Sequence, residues 1–372
     1  MRVLFTTNIP SPYRVDFFNE LGKSCDLTVL YERSDANNRN NEWLKSKAKN
    51  FKEIFLHGYK VGNDSALCPQ IINYFNAKLY DIFVVGGYCT PSGIISIIYL
   101  KLKKIPFVLD FDGGFIKEGK NIRHYLKKFL ISSASWWTST GPETNKYLCY
   151  YGAKPENIFI YPFSSIKKED VLNKTLDYAE KQAFRQELNI PENKMIMSVG
   201  RFAYVKGYDV LLKACPKLDK DTGVYIIGGK VTEEYAEMKR KLNLPNVHFV
   251  EFKTKNELAK YYKAADLFVL PTREDIWGLV INEAMAYGLP VITTTRCIAG
   301  LELVKNNENG FIVPVNNHQT LAEKCLTIIN NTDLRKQMSE RSLETIQEYT
   351  IENMAERYLQ FFKNIKFKSK HK

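Results

Sequence analysis

The strongest constraint on this chain is an alternation. Apolar runs rich in Val, Ile and Phe recur with longer helical patterns between them: "RVLFTT", "CDLTVLY", "IFVVGG", "PFVLDFDGG", "WWTST" and "IFIYPF", then "MIMSVGR", "GVYIIGG", "VHFVEF", "LFVLPT" and "PVITTT". Strands separated by helices pair in parallel through crossover connections, so the pattern predicts an α/β chain with parallel sheets covered by helices. The stretch "SSIKKEDVLNKTLDYAEKQ" has little strand character and divides the runs into two series. A chain of 372 residues exceeds what one average core fills. Two doubly wound domains follow, 1–165 and 166–348; residues 349–372 are expected to be a helical segment packing back towards the first.

Composition narrows the class. With 45% hydrophobic and 25% charged residues the chain is ordinary globular material. Its seven cysteines are scattered, without a Cys-x-x-Cys pair or a histidine at metal spacing, and read as reduced, buried thiols. The start, "MRVLFTTNIPSPYR", runs straight into a strand and does not read as a signal peptide. Residues 82–100 carry no formal charge, but Gly86-Gly87 and Thr90-Pro91-Ser92-Gly93 break them into a strand, a turn and a buried helix rather than a membrane span. A soluble, cytoplasmic protein is expected. The net charge of +12 calls for an acidic partner: nucleic acid, an anionic membrane face or a phosphorylated substrate. The chain has neither an Arg-rich tail nor the aromatic and basic signature of an RNA-binding sheet, which sets nucleic acid aside.

In doubly wound sheets ligands bind outside the carboxyl ends of the strands, so the residues that follow each strand are the candidates. The first series offers Ser11, Tyr13 and Arg14, then Gly87, then Asp112 and Gly113. The second offers Gly200, Arg201, Lys206, Gly228, Glu251, Phe252, the loop from Thr272 to Gly278, and Glu283. In "VGRFAYVKGYDVLLKA" Arg201 directly follows a strand and Lys206 precedes a helix that should begin near Tyr208. Two cations beside a helix N-terminus suit a diphosphate, since guanidinium bonds bidentately and ammonium adds a point charge. A pair of solvated basic side chains near a turn has the same spelling. The Gly-x-Gly-x-x-Gly fingerprint is missing after the first strand, which disfavours a nicotinamide enzyme. In "PTREDIWGLVINEAMAYGLPVI", Asp275 falls on a loop and Glu283 in the helix that follows. Carboxylates there can accept hydrogen bonds from vicinal hydroxyls while the N–H groups of the helix start take phosphate. A hydroxyl-rich, phosphorylated ligand satisfies both.

These segments together resemble the family 4 glycosyltransferases: "VGRF…KGYDVLLKA", "IIGG", "NVHFVEF", "ELAKYYKAADLFVLPT", "EDIWGLVINEAMAYGLPVI" and "NGFIVP" over residues 195–348, and more loosely "PSPYRVDFFNEL" and "YGAKPENIFIYPF" before them. The resemblance implies the GT-B fold, two facing Rossmann-like domains with an interdomain cleft. It makes Arg201 and Lys206 the clamp on a nucleotide sugar's diphosphate, puts Glu283 on the ribose, and sets the amides of Leu279 and Val280, after Gly278, at the phosphates. Asp275 stands where the family normally has the Glu that contacts the transferred sugar, with Glu274 beside it. Many members also have a catalytic His in the first half; Asp112 is what this sequence offers near that point. Gly200, Gly228, Glu251 and Phe252 complete the donor side, and Ser11, Tyr13, Arg14, Gly87 and Gly113 the acceptor side.

By the same resemblance the reaction retains anomeric configuration. The positive charge of Arg201, Lys206 and a helix N-terminus makes catalysis without a metal or other cofactor the expectation, and no Asp-x-Asp metal motif is expected between the strands. UDP is the favoured donor nucleotide. In "KEGKNIRHYLKKFLISSASWW", Lys117, Lys120, Arg123, Lys127 and Lys128 lead into an apolar stretch. That suggests docking on an anionic membrane through Arg123, Lys127 and Lys128, to reach a glycan acceptor linked to a polyprenyl diphosphate. A basic solvated face reads the same way. Two rivals remain at this stage, a sugar-nucleotide epimerase of the same fold and a non-catalytic binder of anionic glycans or membranes.

Overall fold

A computed structural model gives the structure of residues 1–35, 47–119 and 121–370. The chain divides into two compact units, Met1–Ser165 with Tyr349–Lys372, and Ile166–Glu348.

The first unit runs β1 (Arg2–Thr7), α1 (Pro12–Gly22), β2 (Asp26–Tyr31), β3 (Lys52–Phe55), β4 (Tyr59–Val61), β5 (Ser65–Leu67), β6 (Ile82–Val85), α2 (Pro91–Leu102), β7 (Val108–Leu109), α3 (Ile122–Ile131), β8 (Trp136–Ser139), α4 (Pro142–Tyr150) and β9 (Ile158–Ile160). Its sheet has the order β3-β2-β1-β6-β7-β8-β9, with every neighbouring pair parallel. β4 and β5 form a separate antiparallel hairpin. The inner strands are buried on both faces: β1 and β2 each bury every residue but the first. Helix starts follow local chemistry. α2 opens with Pro91 after Thr90, whose Oγ1 accepts from the Gly93 N–H at 3.0 Å, and Asn121 caps α3 by accepting from the His124 N–H at 3.0 Å.

The second unit runs α5 (Tyr178–Glu187), β10 (Lys194–Val199), α6 (Tyr208–Ala214), β11 (Thr222–Ile227), α7 (Glu233–Lys241), β12 (Val247–Val250), α8 (Lys255–Ala264), β13 (Leu267–Leu270), α9 (Leu279–Ala286), β14 (Val291–Thr294), α10 (Ile298–Leu303), β15 (Gly310–Val313), α11 (His318–Ile329) and α12 (Thr332–Ile346). Its parallel sheet has the order β12-β11-β10-β13-β14-β15. Counted within the unit this is 3-2-1-4-5-6, the strand order of dinucleotide-binding folds, with the topological switch between β10 and β13. α13 (Ile351–Lys370) belongs to the first unit and packs on α1, with Tyr358 against Phe17 at 4.9 Å between ring centroids.

Every apolar run of the two series holds a strand. The edge strand β3, the hairpin β4–β5 and β15 are additions that the alternation does not display. Residues 82–100 resolve into β6, a turn and the start of α2, and no helix among the described residues is long and apolar enough to cross a membrane. The expectation of uniformly buried thiols is corrected. Cys68, Cys215, Cys297 and Cys325 are buried, but Cys89 and Cys149 are exposed, the first in the turn before α2 and the second on the outer face of α4.

Candidate active site

The switch between β10 and β13 opens a crevice at the carboxyl ends of the two strands, and the chain that follows each strand is sewn to the other. After β10 come Gly200, Arg201 and a 3-10 turn at Tyr204–Lys206, then Gly207 with φ +70°. A Cβ at Gly207 would lie 2.1 Å from the carbonyl oxygen of Pro271, so this close approach of the two loops requires glycine. Thr272 Oγ1 and the Arg273 N–H both donate to the Val205 carbonyl, at 2.8 and 2.7 Å. The Arg273 guanidinium grips Asp209 with two bonds of 2.8 Å and lies over the Tyr204 ring at 3.9 Å. That bidentate pair, which the sequence did not suggest, fixes the loop after β13 against the start of α6.

The seam sets one contact in particular. Lys206 Nζ stands 2.6 Å from Asp275 Oδ2, with the two side chains 19% and 18% exposed. Of the two neighbouring acids, Asp275 faces Lys206 while Glu274 pairs with Arg296. The Asp275 backbone is held on both sides, its N–H donating to Arg296 O at 2.8 Å and its carbonyl accepting from the Ile298 N–H at 3.2 Å. Arg201 is exposed and makes no ion pair among the described residues, so its guanidinium is available to an anion.

α9 begins at Leu279 behind Gly278, and the N–H groups of Leu279 and Val280 are among those an α-helix leaves without an intrahelical acceptor. Buried Trp277 ties the loop to the helix, donating from Nε1 to Asn282 Oδ1 at 2.8 Å. Half-buried Glu283, one turn further on, accepts from the Tyr262 hydroxyl at 3.0 Å. Burial and the Glu283 carboxylate push the Tyr262 phenol well above its ordinary pKa, which keeps it a donor. Gly228 ends β11 where a Cβ would meet the Gly200 carbonyl oxygen at 1.7 Å, so the glycine lets these neighbouring loops close up. Glu251 and Phe252 are exposed after edge strand β12, two strands out from β10 and thus roughly 10 Å along the sheet. The fold therefore places Gly200, Arg201, Lys206, Gly228, Asp275, Gly278, Leu279, Val280 and Glu283 in the segments that follow β10, β11 and β13 at the switch, and leaves Glu251 and Phe252 to its side.

In the first unit, Arg14 does not present itself as an open acceptor group. It is buried in α1, with Nη2 at 2.9 Å from Asp110 Oδ2 and bonded to Asp112 Oδ1. Asp110 also accepts from Thr138 Oγ1 at 2.7 Å and from the Tyr358 hydroxyl, and Asp112 from the Tyr161 hydroxyl at 3.2 Å. The expectation that no Asp-x-Asp occurs between strands is corrected: Asp110-Phe111-Asp112 follows β7, with both carboxylates paired to Arg14. Burial raises the Asp112 pKa against the pull of Arg14, and its side chain is 34% exposed. Tyr13 is half-buried and Ser11 buried ahead of α1; Gly87 and Gly113 lie in the loops after β6 and β7. A carboxyl that the sequence did not single out, Glu32 after β2, is buried and accepts from the Ala66 N–H at 2.9 Å and Thr90 Oγ1 at 2.5 Å. Burial pushes its pKa up to about 7.

Among the described residues no group of three or more His, Cys, Asp or Glu side chains could hold a metal ion. Of the basic residues expected to face a membrane, Arg123 and Lys128 are exposed. Lys127 is a correction: it turns inward over the rings of Tyr147 and Tyr151, at 5.4 and 4.9 Å, because its position on α3 shares the buried face. Lys120 lies outside the described residues.

Comparison with known proteins gives the family. Residues 180–345, which contain the crevice, match the family described as glycosyl transferases group 1. The chain is 34% identical over 287 residues to an uncharacterized glycosyltransferase of Haemophilus influenzae, covering 76% of this chain and 75% of that protein. Among solved structures it is similar to sucrose-phosphate synthase from Thermosynechococcus elongatus, with a TM-score of 0.79 at 18% identity over 98% of this chain and 99% of the other. It is also similar to HepE from Anabaena in complex with UDP, with a TM-score of 0.78 at 16% identity over 98% and 100%. These likenesses support the expected GT-B fold, and the H. influenzae relative carries the family beyond the matched segment. The chain is a transferase that belongs to the group 1 glycosyl transferases.

Proposed function

We propose that the chain is a retaining, family 4 enzyme that moves a sugar from a UDP-sugar to a glycan acceptor. The observation that carries the reading is the contact of Lys206 with Asp275 beside the open Arg201. One ammonium then serves two ends of a donor: it is held by the carboxylate that meets the sugar hydroxyls and stands ready for the phosphate that leaves. As the bond from the anomeric carbon to the diphosphate breaks, negative charge grows on the phosphate oxygens. Arg201, Lys206 and the first turn of α9 supply fixed positive charge there without a metal. The acceptor hydroxyl attacks from the same face and gives its proton to the departing phosphate oxygen, and Glu283 holds the ribose. HepE, which has the same fold, is known in complex with UDP, which favours this nucleotide.

The acceptor in this reading is a lipid-linked glycan, carried on a polyprenyl diphosphate, in the synthesis of a bacterial surface polysaccharide. The enzyme works as a peripheral protein on the cytoplasmic face of the membrane. The net charge of +12 and the exposed Arg123 and Lys128 support that placement. A panel of nucleotide sugars tests the donor assignment, because whichever complex forms raises the melting temperature by mass action. A UDP-sugar should stabilise the protein, and UDP should be released when acceptor is added, with the product linkage retaining the donor's configuration. A flat panel with no nucleotide released sinks the proposal, and isomerisation of the donor alone would reassign the crevice to epimerisation.

A further inference from the structure

Helix α3 carries a second apolar face that, among the described residues, stays largely exposed. Leu130 and Ile131 are buried on one side. Ile122, Tyr125, Leu126 and Phe129, centred away from Ile131, are 84%, 57%, 48% and 42% exposed. Their spacing of i, i+3, i+4 and i+7 puts all four within an arc about 100° wide. Scattered exposed apolar residues are ordinary, but four aligned on one helix face mark an interaction surface. At 100° per residue, Arg123 falls on one shoulder of the stripe and Lys128 on the other. The end of α2 lies alongside, since Lys101 Nζ sits 4.0 Å above the Phe129 ring. It adds Leu102, 76% exposed, and the exposed Lys103 and Lys104. Neither helix contains an acidic residue.

We infer that this face is an interfacial anchor: the stripe of α3 inserts into the surface of an anionic lipid bilayer while Arg123, Lys128 and the lysines at the end of α2 meet its headgroups. Charge complementarity selects this occupant. An apolar stripe with basic shoulders and no acid is the pattern of helices that lie in the plane of a membrane interface, where aromatic side chains such as Tyr125 and Phe129 also settle. A second copy of the chain fits poorly, because a two-fold pair would set Arg123 and Lys128 against the same residues of its mate. The inference deepens the lipid-linked acceptor of the proposed function and rests on that part of it. It changes the expected physics, since attachment by charge alone fades with salt, whereas an inserted stripe leaves a salt-resistant remainder.

Flotation of the full chain with vesicles of pure phosphatidylcholine and of phosphatidylcholine with phosphatidylglycerol provides the test, at low and high salt. The protein should float with the anionic vesicles, and a fraction should stay bound at high salt. Replacing Arg123 and Lys128 by Gln should weaken binding at low salt by roughly fivefold per residue. Replacing Ile122, Tyr125 and Leu126 by Ser should abolish the salt-resistant fraction. These side chains are largely exposed, so an unchanged thermal melt confirms that the variants fold, and Leu126→Lys alone serves if the triple variant does not. Unchanged flotation of the stripe variants overturns the inference, as does absence of flotation for the unsubstituted protein. A dimer that the Ser substitutions convert to monomer, without vesicle binding, overturns it in favour of self-association. UDP binding by calorimetry, measured on the same variants without vesicles, should stay unchanged, so failure of the anchor and failure of the donor reading are separately visible.

Discussion

Lys206 Nζ lies 2.6 Å from Asp275 Oδ2, joining positions 69 residues apart across the switch of the second sheet. In the proposed function this pair offers a cation to the donor's phosphate and an anion to a sugar hydroxyl. Arg201 stands nearby without such a partner among the described residues, and the difference separates what each basic residue is expected to contribute. Arg201→Ala should lower kcat/KM by about a hundredfold, the loss of roughly 3 kcal/mol of charge stabilisation, without moving the melting temperature. Lys206→Ala should cost as much in rate and also about 1 kcal/mol of stability, because it leaves the partly buried Asp275 uncompensated. Steady-state kinetics and thermal melts on the two variants check both. Normal turnover in either one would remove the clamp.

The two acids of the crevice should separate by ligand. Glu283→Gln removes the charge proposed to hold the ribose, so binding of UDP and of the UDP-sugar should weaken together, by roughly tenfold. Asp275→Asn should weaken only the complete donor. Free UDP should bind the Asn variant no less tightly, since Lys206 then gives its whole charge to the phosphates. Calorimetry with both ligands distinguishes the roles, and an equal loss for UDP and donor in Asp275→Asn would show that Asp275 does not read the sugar.

Much of this was legible because it is local. A buried parallel strand must be apolar on both faces, so "LFVLPT" and "MIMSVG" announce β13 and β10, and topology makes the residues that follow them the candidates for the site. Partnerships across the fold were not legible. Arg273 finds Asp209 64 residues away, and Glu32 accepts from Ala66 and Thr90, 34 and 58 residues away, so a residue spelled like a surface acid after "LTVLY" is buried. β3 escaped notice because an edge strand with exposed Lys52 and Glu53 has no apolar run to show. α3 carries an ambiguity of another kind. Its sequence has apolar residues on two faces, and helical periodicity alone does not say which one the sheet takes.

Glu32 gives a pH signature confined to the first unit. Burial raises its pKa to about 7, above its ordinary value of 4.5. A raised folded-state pKa means that the native protein binds the proton more tightly than the unfolded chain. The associated stability is complete below pH 4.5 and is lost as pH climbs through 7. Glu32→Gln keeps the shape and removes the titration. Relative to the parent it should therefore gain stability between these limits, by roughly 3 kcal/mol in all at about 1.4 per pKa unit. Denaturant unfolding at several pH values gives the curve, and a difference between variants that does not change with pH would mean that Glu32 titrates normally.

Arg14 and Asp112 should divide stability from catalysis. Arg14→Ala leaves the Asp110 and Asp112 carboxylates without their shared cation, one of them deeply buried, and removing one partner of such a cluster costs about 3–5 kcal/mol. That deficit should shrink as pH falls, because burial already raises the Asp112 pKa and the loss of Arg14 removes the cation that opposes its protonation. Asp112→Asn keeps an acceptor oxygen for Arg14 and the Tyr161 hydroxyl, so the fold should survive with a loss nearer 1 kcal/mol. If the exposed side of Asp112 meets the reacting sugar, the same substitution lowers kcat while the affinity for free UDP stays constant. Unfolding curves for both variants, with kcat and UDP affinity for Asp112→Asn, decide between the roles. An unchanged kcat would leave Asp112 as a partner of Arg14 alone.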